Sequence, residues 1–135
     1  MAMKHQMTGN AGLFYVCWQL TRHGWNVLPT SRNGGKATIH AVVPGDPDRI
    51  VQIQSRALSK KTAASLGVSL DAPRAPWWVI SVGVHSDTPD CYVLSWEEVR
   101  SRATRDMGGD RNYWLEPKDY MLPEFRDAWD RIRPD

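Results

Sequence analysis

Cysteine is scarce in this chain. Cys17 and Cys91 are the only two, and neither belongs to a CxxC or a Cys/His cluster. That leaves no basis for a disulfide framework or a zinc site, and two reduced buried thiols are expected. Long apolar runs are missing as well. No stretch reaches the ~20 apolar residues of a membrane span. The run Leu13 to Trp18 is too short for a signal-peptide core and is broken by Gln19. A soluble cytoplasmic protein without membrane contact is therefore expected. There is no internal repeat, no low-complexity segment, no Gly-rich P-loop, no GxSxG and no HExxH. Ser31 and Ser55 have no evident His/Asp partners.

What remains is an ordinary globular composition. The 135 residues are 41% hydrophobic and 24% charged, enough for one domain burying roughly two thirds of its unfolded surface. Seven Trp supply bulky core material. The net charge of +2 is unevenly spread. Residues 1–76 carry nine Lys/Arg against three Asp, and residues 77–135 carry eight against twelve acids. A polyanion would be drawn to the first half, which holds Arg32, Lys36, Arg56, Lys60, Lys61 and Arg74.

The most informative feature lies in that basic half. Lys36 to Val43 and Arg49 to Arg56 flank the turn-forming Pro44-Gly-Asp-Pro-Asp48. Folded back about Asp46, Thr38 falls opposite Gln54 and His40 opposite Gln52. Strand side chains alternate with period two. One face then carries Thr38, His40, Gln52, Gln54 and Arg56. The other carries Ala37, Ile39, Ala41, Val43, Val51 and Ile53, which need a core.

Around the hairpin the chain reads as follows. Residues 1–9 form a loose leader, and residues 10–135 a single domain. Asn10 caps a helix over 11–23, ended by Gly24. Trp25 to Leu28 is a short strand stopped by Pro29. Thr30 to Gly35 is a polar loop whose Gly34-Gly35 pair, beside Arg32 and Lys36, has room for a phosphate backbone. After Arg56, Ser59 is placed to cap a short helix, and Gly67 to Pro76 is a loop. Trp77 to Val84 is apolar nearly throughout, as expected of a central strand buried on both faces. Cys91 to Leu94 is a further strand. Ser95 and Glu98 form a capping box for a helix running to about Arg105. Tyr113 to Leu115 is extended, and Pro123 opens a final helix with Phe125, Trp129 and Ile132 on one face. The class is α/β, with a mixed sheet.

The order helix, strand, hairpin, helix, strand, with a polar site across the hairpin, resembles the PD-(D/E)XK nuclease superfamily, the restriction-endonuclease-like fold. The likeness is closest to a set of small bacterial proteins in it. Their pattern is matched by Gly9-Asn10-Ala11-Gly12-Leu13-Phe14-Tyr15-Val16, by Arg22-His23-Gly24-Trp25-Asn26-Val27, by Arg32-Asn33 and by Ile53-Gln54-Ser55-Arg56-Ala57-Leu58-Ser59-Lys60. Tyr92 to Val99 and Tyr113 to Tyr120 are similar to that set too. The resemblance implies a three-layer sandwich with a mixed central sheet of about five strands flanked by helices. It also implies that the catalytic motif is degenerate. The family's metal-binding Asp aligns on Thr38, its acidic or Gln position on Gln54 and its Lys on Arg56. The Glu that many relatives carry in their first helix falls near Leu13.

Phosphodiester cleavage in this family needs a divalent metal held by carboxylates. Thr38 is neutral, and Gln54 offers only an amide oxygen. Arg56 stays protonated, so it cannot act as a base, but it can clamp a phosphate with two hydrogen bonds. Asp46 and Asp48 sit at the hairpin tip, roughly 25 Å from Thr38 at ~3.3 Å per residue. Asp71, Asp87 and Asp90 are the acids that a loop would have to deliver. His40 is a conceivable ligand, although a lone His beside amides is more often simply hydrogen-bonded.

The expectation is a domain that has lost metal-dependent cleavage and binds DNA, RNA or another phosphate-bearing partner. Arg56 is the anchor, Thr38 and Gln54 assist, His40 and Gln52 line the site, and Arg32, Lys36, Lys60 and Lys61 form the rim. No cofactor is expected. Mg²⁺ enters only under the alternative of an active nuclease with a relocated carboxylate. The other alternative is a homodimeric interaction module that uses aromatics such as Trp96 or Trp114.

Overall fold

The structure is a computed structural model that describes residues 2–30, 36–71, 74–106 and 111–134. Helix α1 (Ala2–Arg22) is followed by strands β1 (Asn26–Pro29), β2 (Lys36–Val43), β3 (Asp46–Leu58), β4 (Ala64–Gly67), β5 (Trp77–Val82) and β6 (Asp90–Ser95). Then come α2 (Trp96–Arg102), β7 (Thr104–Arg105), β8 (Tyr113–Leu115), α3 (Pro117–Tyr120) and a single 3₁₀ turn (Trp129–Arg131). Five strands form a mixed sheet in the order β1-β2-β3-β5-β6, parallel only between β3 and β5. A second sheet of three short strands has the order β4-β8-β7.

The hairpin has the register that its alternation demands: Thr38 pairs with Gln54, His40 with Gln52 and Lys36 with Arg56. Its turn is tighter than the composition suggests. Val43 pairs with Asp46, so Pro44 and Gly45 alone make the turn, and the register shifts between Val42 and Val43. Gly45 sits at φ +79°, where a side chain would be strained. The apolar face (Ala37, Ile39, Ala41, Val51 and Ile53) packs against Leu13, Val16 and Leu20 of α1.

Helix and strand approach very closely at Gly12. A Cβ there would lie 2.4 Å from the Cβ of Ala57 and 3.3 Å from Val84 Cγ1. Helix α1 ends in a Schellman motif. Trp25 N–H donates to Leu20 O, Gly24 N–H donates to Thr21 O, and Gly24 takes φ +95°. The opposite face of the large sheet carries Trp78, Ile80 and Val82 from β5. It is covered by Ala64, Leu66, Leu115, Tyr120 and Val99 of the second sheet and the two short helices. Strand β5 is buried at every position, as its apolar sequence requires.

Several expectations are corrected. Helix α1 begins at Ala2, not at Asn10, so it takes in residues assigned to the leader. No helix stands between β3 and β5 among the described residues. The chain bends after Leu58 and contributes β4 to the second sheet, where Tyr120 Oη donates to Thr62 O at 2.7 Å. Helix α2 stops at Arg102. The helix expected from Pro123 does not form, because that segment bonds to the free edge of β6 instead. Val93 N–H donates to Phe125 O at 2.8 Å and Asp127 N–H to Cys91 O at 2.9 Å. Asp127 takes φ +51°, which no helix tolerates. The apolar spacing of Phe125, Trp129 and Ile132 reflects burial in an irregular strap that caps an edge.

Both cysteines are free; Cys91 is buried, whereas Cys17 is only half-buried. Burial pushes the Cys17 thiol up to about 11 and the Cys91 thiol up to about 12. No helix among the described residues is long and apolar enough to cross a membrane.

Candidate functional site

The polar row of the hairpin lies on the sheet face opposite α1, at the border between a covered half and an open half. Pairing of β3 with β5 sets Gln54 beside Trp78 and Arg56 beside Ile80, both in the core under the second sheet. Pairing of β2 with β1 sets His40 beside Leu28, which is exposed, as is Gln52. The row therefore runs from buried Arg56 through half-buried Gln54 and Thr38 to half-buried His40 and exposed Gln52. Successive rungs are two residues apart, about 7 Å along the strands.

Gln54 Nε2 donates to Ala37 O at 3.2 Å. Thr38 is fixed through its backbone: its N–H donates to Thr30 Oγ1, and its carbonyl accepts from Thr30 N–H and Oγ1.

Arg56 is the unusual member. Only 7% of it is exposed, and its Nε is buried with no hydrogen-bond partner. No carboxylate among the described residues pairs with it; Arg126–Asp90 and Arg131–Glu98 are the ion pairs, and both lie elsewhere. Its guanidinium instead sits 5.3 Å from the centroid of the Trp78 ring. Trp78 stacks on Trp96 at 5.5 Å, and the Arg74 guanidinium lies 5.4 Å from the Trp96 centroid. The result is a connected set of two tryptophans and two arginines. Arg74 Nη2 is held by Leu66 O and Ser69 O, each at 2.8 Å. Burial, reinforced by repulsion from Arg74, lowers the Arg56 pKa to about 10. An isolated cation in such a place is costly, and cation–π contact offsets only part of that cost.

The remaining sequence-derived residues are placed as follows. Lys36 stands opposite Arg56 in register. Lys60 and Lys61 are exposed on the bend after β3, four and five residues beyond Arg56. Arg32 and the Gly34-Gly35 pair lie outside the described residues. Asp90 is occupied by Arg126 at 2.8 Å, and Asp71 and Asp87 are exposed in loops. No group of three or more His, Cys, Asp or Glu with metal-site geometry stands among the described residues. Trp96 and Trp114, expected as exposed docking aromatics, are both half-buried, Trp96 in the stack and Trp114 in β8.

Sequence reasoning did not assign Trp78, Trp96 and Arg74 to this site. The doublet Trp77-Trp78 shows that one tryptophan faces each side of β5. Only the parallel register with β3, which sequence does not supply, puts Trp78 beside Gln54 and under Arg56. No protein-family model matches the chain, and neither a curated protein nor a solved structure matches it.

Proposed function

We propose that this chain is a restriction-endonuclease-like domain with a degenerate catalytic motif, which binds nucleic acid or another phosphate-bearing partner through Arg56. The observation that carries this reading is a buried arginine with an unpartnered Nε and, among the described residues, no carboxylate paired with it. Such a group gains most from an anion, because a charge-assisted bidentate bond supplies the missing partner in a low-dielectric setting. Thr38 and Gln54 replace the acids that a metal would need, so the site favours anions over cations. Lys60 and Lys61 add positive charge on the rim. The five-stranded mixed sheet with α1 on one face fits the proposed family, and β4 standing where a helix was expected departs from it.

The test is oligonucleotide binding measured across a salt series. The wild type is expected to bind with an affinity that falls steeply with salt, and Arg56→Ala to bind weakly. Absent or salt-insensitive binding refutes the reading.

A second reading, self-association, is favoured by one feature. Met7, Phe14 and Trp18 are 60%, 61% and 54% exposed on the face of α1 opposite Leu13, Val16 and Leu20. With Ala11 they follow the four-three-four spacing of a helix-packing seam. Light scattering at several concentrations tests it, since a monomer at every concentration excludes it.

A further inference from the structure

We propose that the Arg56 site takes a phosphate monoester, the terminal phosphate of a nucleic-acid end or of a free nucleotide, in preference to an internal phosphodiester. This rests on the reading that Arg56 binds a phosphate-bearing partner, and it is carried by how deep the arginine lies.

Arg56 is 7% exposed, and its unpartnered Nε is closed off from solvent. An internal phosphodiester is flanked by a sugar on each side and offers two free oxygens. To reach an arginine this deeply buried, both sugars would have to be brought in beside it. A monoester ends in three free oxygens and is attached through one bond, so it can be inserted end-on. The ester oxygen and its sugar then point outward.

The surroundings suit that pose. One side of Arg56 is closed by the second-sheet core around Trp78 and Ile80. The other side opens along Gln54 and Thr38 towards His40 and the exposed Gln52 and Leu28, a strip on which the rest of the ligand can lie. Trp78 is fully buried and stacked on Trp96, so it offers no face to a base. Base stacking is therefore not what recognises the ligand here.

Charge points the same way. A phosphate monoester carries about −1.5 to −2 at pH 7, whereas a diester carries a single charge. Arg56 and Arg74 are close enough to repel each other, and no carboxylate among the described residues pairs with Arg56. A dianion relieves that repulsion better than a monoanion. The Arg fork also matches two oxygens of the terminal group.

The experiment compares one single-stranded oligonucleotide in three forms: 5′-phosphorylated, 3′-phosphorylated and hydroxyl at both ends. Binding to the full chain is followed by fluorescence anisotropy at fixed salt, with AMP and inorganic phosphate as competitors. One phosphorylated form is expected to bind at least about tenfold more tightly than the hydroxyl form, corresponding to about 1.4 kcal/mol. AMP is expected to compete, and Arg56→Gln to erase the difference between ends. The comparison of ends within the wild type needs no variant, so it stands even if Arg56→Gln folds poorly. Arg56→Lys, which keeps the charge and loses the fork, should retain only part of the preference.

Equal binding of all three forms by the wild type overturns the monoester preference and leaves nucleic-acid binding intact. AMP binding without oligonucleotide binding supports the monoester site and identifies a free nucleotide as its source. Binding of none of these probes overturns both the preference and the reading on which it rests.

Discussion

The guanidinium of Arg56 lies 5.3 Å from the centroid of the Trp78 ring, and among the described residues no carboxylate pairs with it. A quadrupole substitutes for a carboxylate. The substitution is incomplete, as the lowering of the Arg56 pKa to about 10 shows. For a base, a folded-state value below the unfolded one means that the native state is penalised wherever the group stays protonated. That condition holds at every pH below about 10, and the penalty is on the order of 3 kcal/mol at one pKa unit per 1.36 kcal/mol.

Removing the charge should therefore stabilise the fold. Arg56→Met keeps an unbranched side chain against Trp78 and discards the buried cation. It is expected to raise unfolding stability by about 1–2 kcal/mol, within the range seen when buried charges are replaced by apolar groups. Urea denaturation at neutral pH measures it. A clear loss of stability would show that Arg56 is a structural group.

The closest helix-to-sheet approach gives a second prediction. Gly12→Ala drives a methyl to 2.4 Å from Ala57 Cβ, with backbone directly behind it. A loss of about 1–3 kcal/mol is expected, as for other overpacked cores. Combining it with Ala57→Gly should recover part of that loss, giving a favourable coupling in a double-mutant cycle. Additive losses would mean that the two positions do not press on each other.

Much of this was legible in the chain, and the limits have physical causes. The hairpin register followed from strict alternation on both strands, since a one-residue slip of β3 against β2 would turn Gln54 and Arg56 towards α1 and leave Thr38 on the other face. The strand Trp77–Val82 and the Ser95/Glu98 capping box were equally readable, because each rests on local chemistry. The strap after Pro123 was not. Its apolar spacing fits a helix, but the unpaired edge of β6 competes for its backbone and wins. The insertion of β4 in place of a helix was hidden too, because its partner β8 is about fifty residues away in sequence. Within the site, the polar row could be read from sequence, but the burial of Arg56 depends on that second sheet.

That strap gives a third prediction. Phe125 and Asp127 satisfy the edge of β6, Arg131 Nη1 donates to Val93 O at 2.9 Å, and Trp77 Nε1 donates to Arg133 O at 3.1 Å. Deleting residues 125–135 exposes that edge and the core beneath it. The truncated chain is expected to aggregate or to lose cooperative unfolding, as scored by gel filtration and thermal melts. A monomeric, cooperatively folding product would refute the role given to the strap.

Glu98 gives a pH prediction. Burial raises its pKa, but bonds from Arg131 at 2.7 Å and from the Ser95 N–H at 2.8 Å outweigh it and leave the carboxyl below its usual value of 4.5. A depressed carboxylate stabilises the fold above the unfolded-state value and loses that stabilisation as pH falls through the folded-state value. Stability should therefore decline with acidification below about 4.5, and Glu98→Gln should flatten that decline. An unchanged acid slope in the variant would place the effect at other groups.

The most direct measurement observes Arg56 itself. A buried Nε–H exchanges slowly with water, so its ¹H–¹⁵N resonance should be visible at neutral pH and assignable by its loss in Arg56→Lys. On titration with inorganic phosphate, that resonance is expected to shift and saturate as the unpartnered Nε–H or its guanidinium neighbours gain an acceptor. An Arg56 signal that stays in place while phosphate is raised well above physiological levels would contradict the claim that this buried cation is a receptor for phosphate.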